Sequence, residues 1–325
     1  MKKKVVLHIG PHKTASTYIQ KMLHKNRKAL QSCGWTYPTV GVVGYGQHRF
    51  AELLFNKDYE GAMFLWKEMS KGHHNIVVSS ENFDRLDEED IKALKSLLND
   101  CEVEIIYFYR RNDDRLISSW QESIKHGGTL SWQHYLLNSV VRPYRSESLN
   151  DSLVVSYYTK EFNINVKIVD YDIAVDAGVD LFESFLMFFG LKKRESKGFV
   201  LENKKINVAS DYAVIEILRI LNLIDIELGN KPFHFLRERF FNCLANELDI
   251  EDIKNDIDLV DFRLNDSLVL EHINATFMSS FSDKIVNYSD SKKNGIKVYK
   301  LPIIGNYSAG TIHEKIRELY YKVCE

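Results

Sequence analysis

The most restrictive feature of the sequence is a short apolar segment that stops abruptly at a Gly-Pro pair. Residues 4–9 read Lys-Val-Val-Leu-His-Ile, and Gly10, Pro11 and an amphipathic stretch reaching about Leu30 follow them. A short run of β-branched and apolar residues favours a buried strand, whereas apolar residues three and four positions apart favour a helix. The segment therefore predicts a strand, a tight turn and a helix, which is the opening of a β-α-β unit.

The same alternation continues through the first two thirds of the chain. Further strands are predicted at Asn75–Ser79, Val103–Tyr109 and Val166–Val169, and the helices that follow them at about Glu88–Leu98, Asp113–His126 and Leu181–Phe189. Strands separated by helices predict an α/β fold with a mostly parallel central sheet. After Gly198 the pattern becomes helical, with helices expected at Asp211–Leu223 and Phe233–Leu248 and no clear strand beyond them. We therefore expect an α/β core over residues 1–200 and a mainly helical C-terminal portion, residues 201–325, that packs on the same core.

Composition narrows the possible partners. The chain has 325 residues and a formal net charge of −2, so no global basic field favours nucleic acid or an anionic membrane. Its four cysteines are widely spaced and lack metal-ligand spacing, so neither a disulfide framework nor a zinc site is expected. The first apolar run is too short for the core of a signal peptide, and no segment approaches the ~20 apolar residues of a membrane span. A cytoplasmic protein is the expectation.

The turn after the first strand has the chemistry of a phosphate site. A helix N-terminus offers unpaired N–H groups and the positive end of a dipole, and Lys13 adds a full charge. The small residues Ala15, Ser16 and Thr17 keep the backbone accessible, and the hydroxyl groups are potential donors. Lys13 comes only three residues after Gly10, which does not match the Walker A spacing of ATPases and kinases. The alternative is a plain strand-turn-helix joint with a solvated lysine.

At this point the chain resembles a known family, the PAPS-dependent sulfotransferases, where PAPS is 3′-phosphoadenosine-5′-phosphosulfate. The resemblance, strongest to bacterial carbohydrate-type members, lies in the segment Ile9-Gly10-Pro11-His12-Lys13-Thr14-Ala15-Ser16-Thr17-Tyr18-Ile19-Gln20. It implies a three-layer, P-loop-like core in which residues 11–17 hold the 5′-phosphosulfate and His12 adds a donor. Family members often have glycine where Ala15 stands, a departure that matters only if the position needs a positive φ.

The family's second signature also has a counterpart. A strand ends at Arg110, and Ser118 follows eight residues later on the predicted helix. By resemblance, Arg110 and Ser118 would bind the 3′-phosphate of PAPS, which suits the forked geometry of a guanidinium. Arg111 could take the place of Arg110, because a shift of one residue moves a strand side chain to the other face. Without the resemblance, these arginines would be read as a solvated cluster paired with Asp113 and Asp114.

Two residues compete for the role of general base. Glu81 follows the predicted strand in Ile76-Val77-Val78-Ser79-Ser80-Glu81-Asn82-Phe83, a segment that looks like one whose end faces the reaction centre in the family. The alternative for Glu81 is a helix cap or an ion pair with Arg85. His48 follows the glycine-rich segment Gly44-Tyr45-Gly46-Gln47, and histidine is the side chain that titrates nearest neutral pH. The sequence leaves the choice open.

The resemblance implies transfer of a sulfuryl group from PAPS to an acceptor hydroxyl of a carbohydrate or glycolipid, with adenosine 3′,5′-bisphosphate as the other product. Lys13 would stabilise the leaving group, so no metal is needed. A late basic stretch could also contact PAPS or be a solvated tail; its members are Lys292, Lys293, Lys297 and Lys300. The rival functions are a nucleotide-dependent kinase or phosphotransferase, a non-catalytic PAPS-binding protein, and a helical interaction module built on residues 205–280.

Overall fold

The computed structural model describes most of the chain. The described residues are 2–72, 74–143, 146, 149–164, 166–191, 198–201, 211–230, 234–246, 248–264, 267–286, 298–303 and 311–324. The strands are β1 Lys3–His8, β2 Trp35–Thr36, β3 Asn75–Ser79, β4 Cys101–Tyr109, β5 Lys167–Asp170, β6 Leu259–Phe262, β7 Ile285–Val286 and β8 Tyr299–Pro302. The helices are α1 Ser16–Lys25, α2 Arg27–Ser32, α3 His48–Phe55, α4 Tyr59–Met69, α5 Glu88–Leu97, α6 Asn112–Lys125, α7 Trp132–Val141, α8 Asp151–Phe162, α9 Tyr171–Asp176, α10 Leu181–Leu186, α11 Tyr212–Glu227, α12 His234–Ala245, α13 Glu251–Asn255, α14 Leu268–Phe281 and α15 Thr311–Cys324.

The main sheet is parallel throughout its described part. Its six strands lie in the order β2-β3-β1-β4-β5-β7, and each neighbouring pair runs in the same direction. Because parallel strands need crossover connections, helices cover the sheet. The predicted α/β fold with a mostly parallel sheet and C-terminal helices is therefore confirmed.

Alternate residues of β1 enter two separate cores, one on each face of the sheet. Val6 packs with Ile19, Met22 and Leu23 of α1 on one face. Val5 and Leu7 pack on the opposite face, with side chains from α3, α5 and α8. This alternation follows from the period of two along a strand, and it produces a three-layer arrangement in which α1 lies directly over the sheet.

The chain folds into two compact units, each made of three segments. The first consists of Met1–Arg111, Leu149–Ile206 and Ile273–Asn294, and the second of Asn112–Ser148, Asn207–His272 and Gly295–Glu325. The first unit contains the parallel sheet. The second contains α6, α11 and α15 and the antiparallel pair β6–β8. The units alternate along the chain, whereas the sequence predicted a division near residue 200.

The expectation that no strand follows Gly198 is wrong, because β6, β7 and β8 all lie beyond it. These strands have four, two and four residues, and β6 and β7 have no fully buried side chain. Segments this short and this exposed carry too little alternation to be recognised.

The helix predicted to run to Leu30 is interrupted at Asn26. The Asn26 side-chain amide donates to the Met22 carbonyl at 2.8 Å and to the Val200 carbonyl at 2.9 Å, and its oxygen accepts from the Val200 N–H at 2.7 Å. An asparagine amide that binds nearby backbone competes with the helical hydrogen bonds, so α1 ends and α2 begins there.

Candidate active site

The turn between β1 and α1 has an unusual backbone. The Gly10–Pro11 peptide is cis, and φ is positive at Gly10, at Lys13 (67°) and at Ala15 (62°). A Cβ placed on Gly10 would lie 3.0 Å from the Glu81 Cα, so glycine permits the turn to approach the end of β3. Ala15 occupies the left-handed region that glycine adopts without strain, and the departure from the family pattern therefore falls at a position where it matters.

The hydroxyl groups of the turn bind the turn itself. Thr14 Oγ1 donates to the Pro11 carbonyl at 2.7 Å, and Ser16 Oγ donates to the same carbonyl at 3.0 Å. Both residues are buried, whereas Thr17, in the first turn of α1, is exposed. Each hydroxyl has one proton, so in this arrangement Thr14 and Ser16 stabilise the turn instead of offering that proton to an anion. The sequence alone indicated the hydroxyls of Ser16 and Thr17 as potential donors to the ligand.

The N-terminus of α1 is suited to an anion. Ala15, the residue that precedes the helix, provides no side-chain cap, and the first turn has no acidic residue. The first N–H groups of a helix have no intrahelical partner, and the dipole places partial positive charge there. The predicted phosphate site is therefore a helix N-terminus that no carboxylate of its own first turn neutralises.

Arg110 is brought to this turn by the register of the sheet. β1 and β4 are neighbours, and the Phe108 N–H donates to the Gly10 carbonyl at 3.0 Å. Two residues later, Arg110 Nη1 donates to the Lys13 carbonyl at 2.9 Å, and its guanidinium lies 5.0 Å from the centre of the Tyr171 ring. The two signatures predicted from separate parts of the sequence thus meet in the first unit.

The second signature also includes Arg111 and Ser118. The Arg111 N–H donates to Asp172 Oδ2 at 2.9 Å, and Arg110 Nε lies 3.9 Å from Asp172 Oδ1. Ser118 is partly buried on α6, in the second unit. The binding of a 3′-phosphate by Arg110 or Arg111 with Ser118 remains a prediction.

The two candidate bases are neighbours. His48 Nδ1 lies 3.8 Å from Glu81 Oε2 and 2.8 Å from Ser80 Oγ, and both the histidine and the glutamate are largely buried. Glu81 Oε2 also accepts a hydrogen bond from Gln20 Nε2 at 2.6 Å. The helix alternative for Glu81 does not apply to its side chain, because Ser80 Oγ accepts from the Asn82 N–H and caps the 3₁₀ helix Glu81–Arg85.

The environment of Glu81 favours its ionised form. Burial raises the pKa of this carboxyl, but the nearby His48 and His12 and the hydrogen bond from Gln20 outweigh burial and leave the pKa below its ordinary value. His12, which the sequence placed in the anion site, thus also acts on the neighbouring carboxylate.

The loop that precedes His48 is held in place by hydrogen bonds. Gln47 is fully buried; its backbone N–H donates to the Ser79 carbonyl and its side-chain Oε1 accepts from the Ser79 N–H, each at 2.8 Å, so both backbone groups of Ser79 are bound by this one residue. The Tyr37 hydroxyl donates to the Tyr45 carbonyl at 2.6 Å. His48 is the first residue of α3, where the chain direction is fixed by both contacts.

Sequence reasoning missed His8, the last residue of β1. Its side chain is fully buried, Nδ1 lies 2.8 Å from Ser79 Oγ, and Nε2 has no hydrogen-bond partner among the described residues. The ring lies 5.4 Å from the rings of Phe108 and Phe185. Burial lowers the pKa of His8 to about 4 although the charge of Glu81 opposes this, so His8 is neutral at pH 7. A polar residue at the end of a buried apolar strand, directly before the turn, was the available signal.

The remaining sequence predictions concern the tail and the rival chemistries. Of the basic stretch, Lys292, Lys293 and Lys297 lie outside the described residues, and Lys300 is exposed on β8. The described residues contain no group of three or more His, Cys, Asp or Glu side chains arranged to hold a metal ion. No helix within the described ranges is both long enough and apolar enough to span a bilayer.

Comparison with known proteins gives one similar structure to report. The crystal structure of a sulfotransferase from Alicyclobacillus acidocaldarius is similar with a TM-score of 0.43 and 15% sequence identity, covering 71% of this chain and 98% of that one. No protein-family model matches the chain, and no curated protein matches it.

Proposed function

We propose that this protein is a sulfotransferase that moves a sulfuryl group from PAPS to an acceptor hydroxyl. The observation that carries the proposal is the close approach of the phosphate-binding turn to the acid–base residues, with Gly10 packed against the backbone of Glu81. A group-transfer enzyme needs an anion site and a proton acceptor side by side. Here both are built at the same ends of β1 and β3.

On the donor side, the N-terminus of α1 and Lys13 would hold the 5′-phosphosulfate. The Lys13 carbonyl is held by Arg110, which fixes the turn and adds a second positive charge near it. Preorganised donors of this kind stabilise charge that develops on a leaving group. Arg110, with Ser118 or Arg111, is the proposed site of the 3′-phosphate that distinguishes PAPS from ATP.

On the acceptor side, we assign His48 as the general base that takes the proton of the acceptor hydroxyl. A carboxylate with a lowered pKa is a weak base, and Glu81 Oε2 is already occupied by Gln20. Nδ1 of His48 lies 2.8 Å from Ser80 Oγ and 3.8 Å from Glu81 Oε2, and we propose the tautomer with the proton on Nδ1, beside that carboxylate, so that Nε2 accepts. The neighbouring carboxylate of Glu81 then stabilises the imidazolium that forms.

The bonds balance as an in-line transfer. The acceptor oxygen forms a bond to sulfur while the bond from sulfur to the bridging oxygen breaks. The acceptor proton goes to His48, and the electron pair stays on the phosphate of adenosine 3′,5′-bisphosphate. The acceptor we propose, a hydroxyl of a glycan or glycolipid, rests on the resemblance of residues 9–20 to carbohydrate-type members.

Ligand-induced thermal stabilisation tests the donor assignment. Adenosine 3′,5′-bisphosphate is expected to raise the melting temperature more than adenosine 5′-monophosphate or ATP, because it alone of the three carries a 3′-phosphate as well as a 5′-phosphate. The extra stabilisation should disappear in Arg110→Gln and persist in the exposed-lysine control Lys28→Ala. Stabilisation by ATP alone would contradict the proposal and favour the kinase reading.

Transfer of labelled sulfate from PAPS to fractionated glycans, glycolipids and small phenols tests the reaction. We expect label in a carbohydrate-containing fraction with the wild type and transfer slowed by about 10²-fold with His48→Asn. Binding of adenosine 3′,5′-bisphosphate without transfer to any fraction would instead support a non-catalytic PAPS-binding protein.

A further inference from the structure

Gln20 joins the phosphate-binding helix to the acid–base pair. It lies in the second turn of α1, is 2% exposed, and donates from Nε2 to Glu81 Oε2 at 2.6 Å. The first turn of the same helix is the proposed phosphosulfate site. A single buried amide therefore connects the element that would bind the donor with the carboxylate that faces His48.

The amide is held in place by close packing. A Cβ added to Gly46 would lie 2.8 Å from Cδ and Nε2 of Gln20 and 2.8 Å from Cε1 of His48. Real Cβ atoms do not approach other atoms this closely, so only glycine allows the two side chains to pack here. The orientation of the amide is also determined, because an ionised carboxylate only accepts hydrogen bonds and a flipped amide would set oxygen against oxygen.

We propose that Gln20 is a positioning residue that fixes the Glu81 carboxylate beside His48 and ties it to the helix that binds the sulfuryl donor. This inference rests on the proposed function and deepens it. Burial alone would favour the neutral acid form of Glu81, which would neither stabilise an imidazolium nor hold a defined orientation. The hydrogen bond from Gln20 counters this effect without adding a charge to the site.

Other titratable groups also face Glu81. They are His48 on α3, His12 in the turn, His8 on β1 and Tyr37 before the His48 loop. All four remain present in a variant of Gln20, so the matched control below is needed to assign a change in the titration of Glu81 to the lost amide.

The test compares Gln20→Met, which keeps the length of the side chain but removes the donor, with Gln20→Glu, which places a second carboxyl beside Glu81. NMR titration of ¹³C-labelled glutamate carboxyls, with the Glu81 signal assigned from Glu81→Gln, reads the pKa directly. Loss of a hydrogen bond to a charged group should raise the pKa of Glu81 by about one unit or more in Gln20→Met. The rise should be larger in Gln20→Glu, because two adjacent carboxyls share one proton.

The pH profile of kcat/KM supplies the second readout. Because ionised Glu81 stabilises the imidazolium of His48, we expect an inflection in the acid limb of the profile that follows the Glu81 titration and moves with it to higher pH. The matched control is Asn222→Leu, which removes another buried amide, one that donates to the Ile124 and Gly128 carbonyls in the second unit. It should lower thermal stability, as Gln20→Met does, and leave both the Glu81 titration and the acid limb where they are in the wild type.

The outcomes separate this inference from the proposed function. An unchanged Glu81 titration in a folded Gln20→Met protein overturns the positioning role, whether or not sulfate is transferred. A raised pKa of Glu81 in Gln20→Met, together with a wild type that transfers no sulfate, supports the structural link and overturns the proposed function. Gly46→Ala gives an independent check. Its added methyl group would clash with both Gln20 and His48 and should displace them, so kcat/KM should fall although Gln20 itself is intact.

Discussion

The two halves of the candidate site are built in opposite ways. The anion half is one continuous segment, residues 10–17, whose hydroxyls bind its own Pro11 carbonyl. The acid–base half has no continuous segment, because His8, Gln20, His48 and Glu81 come from β1, α1, the start of α3 and the end of β3. The geometry of the first half is determined by its local backbone conformation, and the geometry of the second depends on the packing of four elements.

This difference teaches where each half should be sensitive to change. Because the turn is held by its own hydrogen bonds and positive φ values, substitution of one of its ligand-binding side chains should weaken ligand binding without unfolding the protein. A cluster assembled by long-range packing should couple its residues to one another and to global stability.

The largest effect is expected in the anion half, for Lys13→Ala. Removal of one preorganised donor typically lowers the rate about 10²–10³-fold, or ~3–4 kcal/mol of transition-state stabilisation. We expect this loss in kcat/KM for PAPS, with a melting temperature close to that of the wild type. Lys28→Ala, an exposed lysine on α2, should show neither change. A large drop in the stability of Lys13→Ala would show that this half is not locally built.

The next effect concerns the acid–base half and is a pH dependence of folding. The folded-state pKa of His8 is about 4 against an ordinary value of 6.5, so the unfolded chain binds a proton in this range that the folded protein does not. The contribution of neutral His8 to the free energy of unfolding is therefore fully present above about pH 6.5. It falls by about 3 kcal/mol in all as the pH is lowered towards 4.

Urea unfolding at pH 7, 5.5 and 4 measures this loss. His8→Gln, which does not titrate, should have a flatter dependence over that range, and His126→Gln, at an exposed position directly after α6, is the control. Ionised Glu81 also stabilises the fold, because its pKa is lowered in the folded state. That contribution is lost only at pH values below about 4.5, the ordinary pKa of a glutamate. Equal slopes for wild type and His8→Gln would contradict the assignment of a buried neutral His8.

Coupling between His48 and Glu81 gives a third, smaller effect. If the two act as one unit, His48→Asn and Glu81→Gln should each lower kcat/KM, and the double variant should lose little more than the worse single variant. We expect a coupling energy of about 1–3 kcal/mol from the double-mutant cycle. Arg49→Gln with Glu52→Gln, an exposed pair on the same helix as His48 at 3.9 Å, is the control and should be additive. Additive losses for His48 and Glu81 would mean that they act separately.

The same contrast explains what the sequence could predict. The turn, Lys13 and the strand that ends at Arg110 were found because each is a contiguous pattern, and the neighbouring positions of β1 and β4 bring Arg110 to the Lys13 carbonyl. Glu81 and His48 were both predicted, but as competitors, because no sequence pattern shows that Gln47 binds Ser79 and so brings His48 beside Glu81.

His8 and the role of Gln20 were missed for a related reason. A strand-end histidine and a helical glutamine have many ordinary structural uses, and only packing reveals which one applies. The hydroxyl group of Ser16 was interpreted as a possible ligand donor, because the sequence does not show that the Ser16 and Thr14 hydroxyls bind the Pro11 carbonyl.

The smallest effect is the sharpest test of local strain in the anion half. Ala15 has φ of 62°, which is unfavourable for an L-residue by ~1–2 kcal/mol, while glycine adopts it freely. Glycine also increases the entropy of the unfolded chain, which offsets about 0.5–1 kcal/mol. Ala15→Gly should therefore raise the free energy of unfolding by up to about 1 kcal/mol in urea denaturation. Ala93→Gly, in the interior of α5 at ordinary helical angles, should lower it by about 1 kcal/mol. Destabilisation by both substitutions would show that the turn is not strained at residue 15.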